Sequence, residues 1–106
     1  MKLLRYRRLD GSEPFTAWLD ALRDRAAGAR IRIRLRRLEA GNLGDCEPVG
    51  EGVSELRVHV GGGYRVYFGR HGQTVIILLS GGDKSSQATD IKRARGLWAE
   101  WKQRQR

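Results

Sequence analysis

A chain of 106 residues with 40% hydrophobic residues and two prolines makes one domain with one modest core. It carries 21 Lys and Arg against 12 Asp and Glu, a net charge of +9, and 17 of the 21 cations are arginine. A single cysteine excludes an internal disulfide and a Cys-rich metal site, and no apolar run reaches the ~18 residues of a membrane span.

No apolar h-region follows the basic start, so no signal peptide is expected and the cytoplasm is the simplest compartment. The arginine excess points to a polyanionic partner: nucleic acid first, an acidic protein second and an anionic surface third. An arginine-rich proteome would give the same bias without any function.

Residues 2–9, KLLRYRRL, predict an opening strand that Asp10 and Gly11 break. A helix follows from Ser12 to Arg25, with Ser12 as its cap, Pro14 in its first turn and Phe15, Trp18, Leu19 and Leu22 on one face. That stripe is core, and Trp18 has no functional role in this reading. Residues 26–40 alternate Arg30, Arg32, Arg34 and Arg36 with Ile31, Ile33 and Leu35, a strand period. Ala27, Ile31, Leu35 and Leu38 also form a helical stripe. Length, alanine content and Gly41 favour the helix, which leaves Ile33 partly exposed and the arginines on a basic face.

Residues 42–52 read as a loop. Three hairpin-linked strands follow at Val53–Val60, Tyr64–Phe68 and Thr74–Leu79, the last nearly all apolar and expected to be central beneath the helices. A final helix runs from near Ser85 to Gln103, with Ile91, Ala94, Trp98 and Trp101 on one side. The fold class is α+β: a small, twisted, largely antiparallel sheet of about four strands, with two N-terminal helices and one C-terminal helix.

A three-residue loop at Gly61–Gly63 would set His59 opposite Arg65 and Arg57 opposite Tyr67. Leu56, Val58, Val60, Tyr64, Val66 and Phe68 then take the core face, and Arg57, His59, Arg65 and Tyr67 share the other. Neighbouring cations repel unless an anion joins them; a phosphate would do so, and Glu55 also could. The following strand returns to the same edge and delivers Lys84 there. The residues offer no metal-ligand set and no phosphate-binding glycine loop. The patch suits metal-free RNA cleavage, in which the 2′-OH attacks the adjacent phosphate and the protein supplies charge and proton transfer. An ordinary solvated sheet face is the bland alternative.

The segments ELRVHVGGGYRVYF and TVIILLSGGDKSSQATDIKRA resemble the RelE/ParE superfamily of bacterial toxins, most closely its HigB-like branch of addiction module killer proteins. The resemblance implies one toxin domain over residues 1–106, an antitoxin encoded beside it, a toxin–antitoxin hetero-oligomer, and cleavage of mRNA on the ribosome without a cofactor. By that resemblance Arg65 contacts the reacting phosphate, and Arg57, with His59 two positions later, and Lys84 match basic positions around it. Many such toxins have a catalytic tyrosine at the start of the last helix, where this chain has Asp90, and no tyrosine follows Tyr67. His59, then Asp90, then Tyr67 are the candidate general acids or bases. Arg30, Arg34 and Arg37, with Lys92, Arg93 and Arg95 on the last helix, are candidate RNA contacts. The arginines of residues 30–37, beside Ile33, and the Arg57/Arg65/Lys84 patch are the two candidate antitoxin surfaces. The ParE branch poisons DNA gyrase instead, so a gyrase poison or inactive toxin is the second reading, and an unrelated basic nucleic-acid-binding module the third.

Overall fold

The apolar run at Thr74–Leu79 needs cover on both faces, and the architecture supplies it. The structure, a computed structural model, describes residues 1–105. The elements are β1 (Lys2–Arg5), α1 (Pro14–Ala21), α2 (Arg25–Glu39), β2 (Cys46–Gly50), β3 (Val53–Val58), β4 (Tyr64–His71), β5 (Val75–Asp83), a short 3₁₀ turn (Lys84–Ser86) and α3 (Gln87–Arg104). The strands form one sheet in the order β1-β5-β4-β3-β2. β1 pairs parallel to β5, and every other pairing is antiparallel.

The protein is thus α+β with three helices, as the sequence predicts, but its sheet is mixed and five-stranded rather than four-stranded. The extra strand, β2, lies within the segment read as loop. Pro48 and a register irregularity between Pro48 and Gly50 disguise it. Both are tolerated because β2 is an edge strand, where a missing N–H breaks no ladder. β4 rather than β5 is the central strand, although β5 is still buried on both sides from Ile76 to Gly82.

α1 begins at Pro14 and not at Ser12, whose hydroxyl instead donates to Asp10 Oδ1 at 2.6 Å. α2 is a helix, with Asp24 as its N-cap accepting from the Ala27 amide at 3.0 Å. Its end carries the two backbone bonds of a Schellman motif, Gly41 N–H to Leu38 O and Asn42 N–H to Arg37 O. Burial of Ala27, Ile31, Leu35 and Leu38 decides between the two periodicities, and Ile33 is left 40% exposed.

Two cores result. On one face α1 and α2 bring Phe15, Leu19, Ile31 and Leu38 onto Leu56, Val66, Phe68 and Ile76. On the other, α3 packs Ala94, Leu97 and Trp98 against Val53, Tyr67, Ile77 and Leu79. Each face also seats an indole on a glycine. Trp18 lies against Gly81 and Trp98 against Gly69, so closely that a Cβ at either glycine would overlap the ring. No helix among the described residues is long and apolar enough to cross a membrane.

Gly81→Ala is expected to cost ~1–3 kcal/mol through overpacking against Trp18. Urea unfolding followed by circular dichroism should show a lower midpoint with an unchanged slope. Because the two residues touch, Gly81→Ala and Trp18→Leu together should be less destabilising than the sum of the single changes.

Candidate functional site

β3 and β4 pair with Val58 opposite Tyr64 and Arg57 opposite Arg65, so the connection spans residues 59–63 rather than three glycines. The shift from the expected register is two residues. Side chains alternate with period two, so every face assignment within the strands survives. Arg57, Arg65 and Tyr67 do share one face, and Glu55 joins them opposite Tyr67.

Glu55 is fully buried. Its Oε1 accepts from Arg57 Nε at 3.1 Å. Its Oε2 accepts from the Tyr67 hydroxyl at 3.1 Å and from Gln87 Nε2 at 3.0 Å, and Arg65 Nε lies 3.5 Å away as an ion pair. Burial pushes the Glu55 carboxyl up. The hydrogen bonds from Gln87, Arg57 and Tyr67 and the charge of Arg65 outweigh it, so the group lies below the usual carboxylate range. Burial, and then the negative charge of Glu55, push the Tyr67 phenol well above its ordinary value. Tyr67 is therefore a buried donor to Glu55 and does not border the cleft.

A cleft of about 410 Å³ opens at this end of the sheet, lined by Arg57, His59, the Gly61–Gly63 turn, Tyr64, Arg65 and Lys84. Arg65 is only 13% exposed, and its buried Nε donates no hydrogen bond. Arg57 is more heavily partnered, with Asp45 Oδ1 at 3.9 Å and Glu47 Oε1 at 4.0 Å in addition to Glu55. β5 delivers Lys84 to the same edge, because Tyr64 pairs with Asp83 and Arg65 with Gly82. Asp83 shapes the turn by accepting from the Ser85 amide and hydroxyl at 2.9 and 2.6 Å. Lys84 itself is exposed and has no ion pair among the described residues.

His59 departs from its expected place. β3 ends at Val58, so His59 leaves the alternation of the sheet, and its Nε2 lies 2.5 Å from Asp45 Oδ2. That hydrogen bond, helped by the charge of Arg57, holds Asp45 below the usual carboxylate range. Asp90, in the first turn of α3, accepts from the Ser86 hydroxyl at 2.5 Å and lies against Gly82, the pairing partner of Arg65.

The other basic candidates separate into three kinds. Arg30, Arg34 and Arg37 line a second cleft of about 250 Å³ with Asn42, Asp45 and His59. Arg95 is turned inward. Its Nε donates to the Val49 carbonyl at 2.9 Å and lies 3.9 Å from Glu51, tying α3 to the β2–β3 hairpin. Lys92 and Arg93 are exposed on α3 and line neither cleft.

Sequence reasoning missed the coordinating role of Glu55, although its two-residue spacing from Arg57 was the available signal. It missed Asp45, Glu47 and Gln87 altogether, since they reach the site from other elements. Among the described residues no group of three or more His, Cys, Asp and Glu side chains could hold a metal ion.

Residues 17–99 match the family of Gp49-like phage-derived proteins. The chain belongs to that family. The Gp49-like family lies within the superfamily of addiction module killer and RelE-like toxins, and the match does not single out the HigB branch. An uncharacterized protein of Haemophilus influenzae is 47% identical over 83 residues, which are 78% of this chain and 84% of that protein.

The depressed Glu55 group contributes stability that is present above the ordinary carboxylate pKa and lost as pH falls through its lowered one. For this Gp49-like protein, Glu55→Gln is expected to cost about 1–3 kcal/mol at neutral pH, by weakening the charged hydrogen bonds of a buried group. The deficit should begin to shrink as pH falls below the ordinary glutamate value of about 4.3 and close only below the lowered native one, where wild-type Glu55 is itself neutralised. Urea denaturation of both proteins at neutral and acidic pH checks this.

Proposed function

We propose that this Gp49-like protein is the toxin of a type II toxin–antitoxin module and that it cuts ribosome-bound mRNA. The observation that carries the reading is the cleft in which Lys84, with no ion pair among the described residues, converges with Arg65, whose only carboxylate in ion-pair range is the buried Glu55, and with Arg57 beside them. The family membership supports a toxin with an antitoxin partner.

In this mechanism the ribose 2′-oxygen forms a bond to phosphorus and the bond from phosphorus to the 5′-oxygen breaks. The products are a 2′,3′-cyclic phosphate and a 5′-hydroxyl. The 2′-OH proton leaves to a base, and the departing 5′-oxygen takes one from an acid. Arg65 stabilises the charge that builds on the phosphorane, with its guanidinium held by Glu55, and Lys84 adds an unpartnered cation from the turn. Arg57 contributes less because three carboxylates share its charge. His59 is the first choice for proton transfer, since it borders the cleft and Asp45 orients it. Asp90 is the second, and Tyr67 is committed to Glu55.

A binding protein of the same fold without RNase activity, such as a gyrase poison or an inactive toxin, is the second reading. The carboxylates around Arg57 favour it. Primer extension on mRNAs from expressing cells separates the two: new breaks inside translated codons support cleavage, and DNA breaks linked to gyrase support the alternative.

Arg65→Ala is expected to abolish growth arrest while the protein keeps its circular dichroism spectrum. Loss of one charge donor is worth ~10²–10³ in rate. Lys84→Ala should cost less than Arg65→Ala, and Arg57→Ala least of the three. A folded Arg65→Ala protein that still arrests growth would remove this residue from the active site.

A further inference from the structure

Resting on that reading, we infer that the cleft lined by Arg30, Arg34 and Arg37 is a second phosphate site, which holds another phosphodiester of the same single-stranded RNA. The three arginines lie at i, i+4 and i+7 on α2 and so share one helix face. All three border a cleft whose remaining polar side chains are Asn42, Asp45 and His59.

The charge in this cleft is uncompensated. Asp45 is its one carboxylate, and that group already faces His59 at 2.5 Å and Arg57 at 3.9 Å. Arg30 and Arg37 are exposed and have no carboxylate within ion-pair distance among the described residues. Cations crowded in this way repel each other until an anion joins them. Phosphate suits guanidinium groups because its oxygens match the planar fork.

The seat is also built. Arg34 donates to the Arg57 carbonyl at 2.5 Å and to the Leu43 carbonyl at 3.3 Å. Its guanidinium lies so near Gly44 that a Cβ there would be 2.7 Å from Nη2, and the φ of +61° at that position also favours glycine. Arg34 is thereby fixed at the edge of the second cleft, bonded to the backbone of an arginine that lines the first.

Two features select RNA over an acidic protein. His59 lines both clefts, so one strand can run from Lys84 and Arg65 past His59 to Arg37 and Arg30. The second cleft also has no apolar anchor of the kind a docked helix uses, since Ile33 lies outside it.

The test measures binding, not cleavage. The probe is a fluorescein-labelled single-stranded RNA of about ten nucleotides, within the site size of small single-strand binders. Every 2′-OH is methylated, so the probe cannot be cut. Anisotropy titrations of the full chain are run across a salt series. For Arg30→Gln/Arg37→Gln we expect affinity to fall at least tenfold, and the slope of log K against log salt to flatten by about 1.4, two contacts at ~0.7 each.

Arg70→Gln/Lys102→Gln, which removes the same two charges at the other end of the sheet, controls for net charge and should change the slope far less. Equal losses from the two double variants would overturn the site, because bulk charge would explain both. Wild-type binding by Arg30→Gln/Arg37→Gln, with weakened binding by Lys84→Ala, would overturn the second site and leave the proposed function standing. If Lys84→Ala also binds as wild type, the proposed function fails with it. Unchanged RNA binding with lost antitoxin binding would assign the cleft to an acidic protein and overturn this inference.

Discussion

A carboxylate that water does not reach organises the cationic end of the sheet. Glu55 sits on β3 and collects hydrogen bonds from Arg57 on its own strand, Tyr67 on β4 and Gln87 on α3, with Arg65 in ion-pair range. An isolated buried carboxylate would cost several kcal/mol in desolvation, so the group is tolerated only because each neighbour aims a donor or a positive charge at it. The same requirement explains why two arginines can stand directly opposite each other. Their repulsion is offset from below, inside the protein, while their outer surfaces still face the cleft. The partnership is unequal: Arg57 turns to three carboxylates, and Arg65 keeps its Nε without a hydrogen-bond acceptor. The less satisfied cation is the one the proposed mechanism uses.

The adjacent glycines before Asp83 are a second constraint, and a steric one. Gly81 and Gly82 project toward opposite faces of β5. Trp18 of α1 rests on the first and Asp90 of α3 on the second. A Cβ at Gly81 would overlap the Trp18 ring, and one at Gly82 would displace the Asp90 carboxylate. What looks like a flexible dipeptide is a pair of fitted sites, one for an indole and one for a carboxylate. The missing side chain at Gly82 leaves room for the Asp90 carboxylate beside the pairing partner of Arg65.

Much of this was legible in the residues. The apolar stripes of the helices and the alternation of β3 and β4 follow from side-chain periodicity, and they placed Arg57, Arg65 and Lys84 around one edge. The failures have physical causes. β2 was hidden because Pro48 and the glycines around it deny it any strand signature, and an edge strand needs none. The position of His59 went wrong because alternation was extended past Val58, where the ladder stops. Tyr67 was taken for a surface group because the face it occupies was treated as solvated, when α3 covers most of it. Asp45 and Gln87 carry no local signal, since their roles exist only once distant segments meet.

The parallel pairing of β1 with β5 has a kinetic consequence. Lys2 lies beside Val75 and Arg5 beside Leu78, so the first strand of the chain finds its neighbour only in the last strand. Pairings this distant in sequence form slowly, because a long loop must close before any contact repays it. During synthesis the first strand has to wait, unpaired, until β5 has emerged. The cleft needs β3, β4 and the end of β5 together, so it too is assembled late. The pocket around Arg65 and Lys84 therefore cannot exist on a nascent chain that still lacks the end of β5.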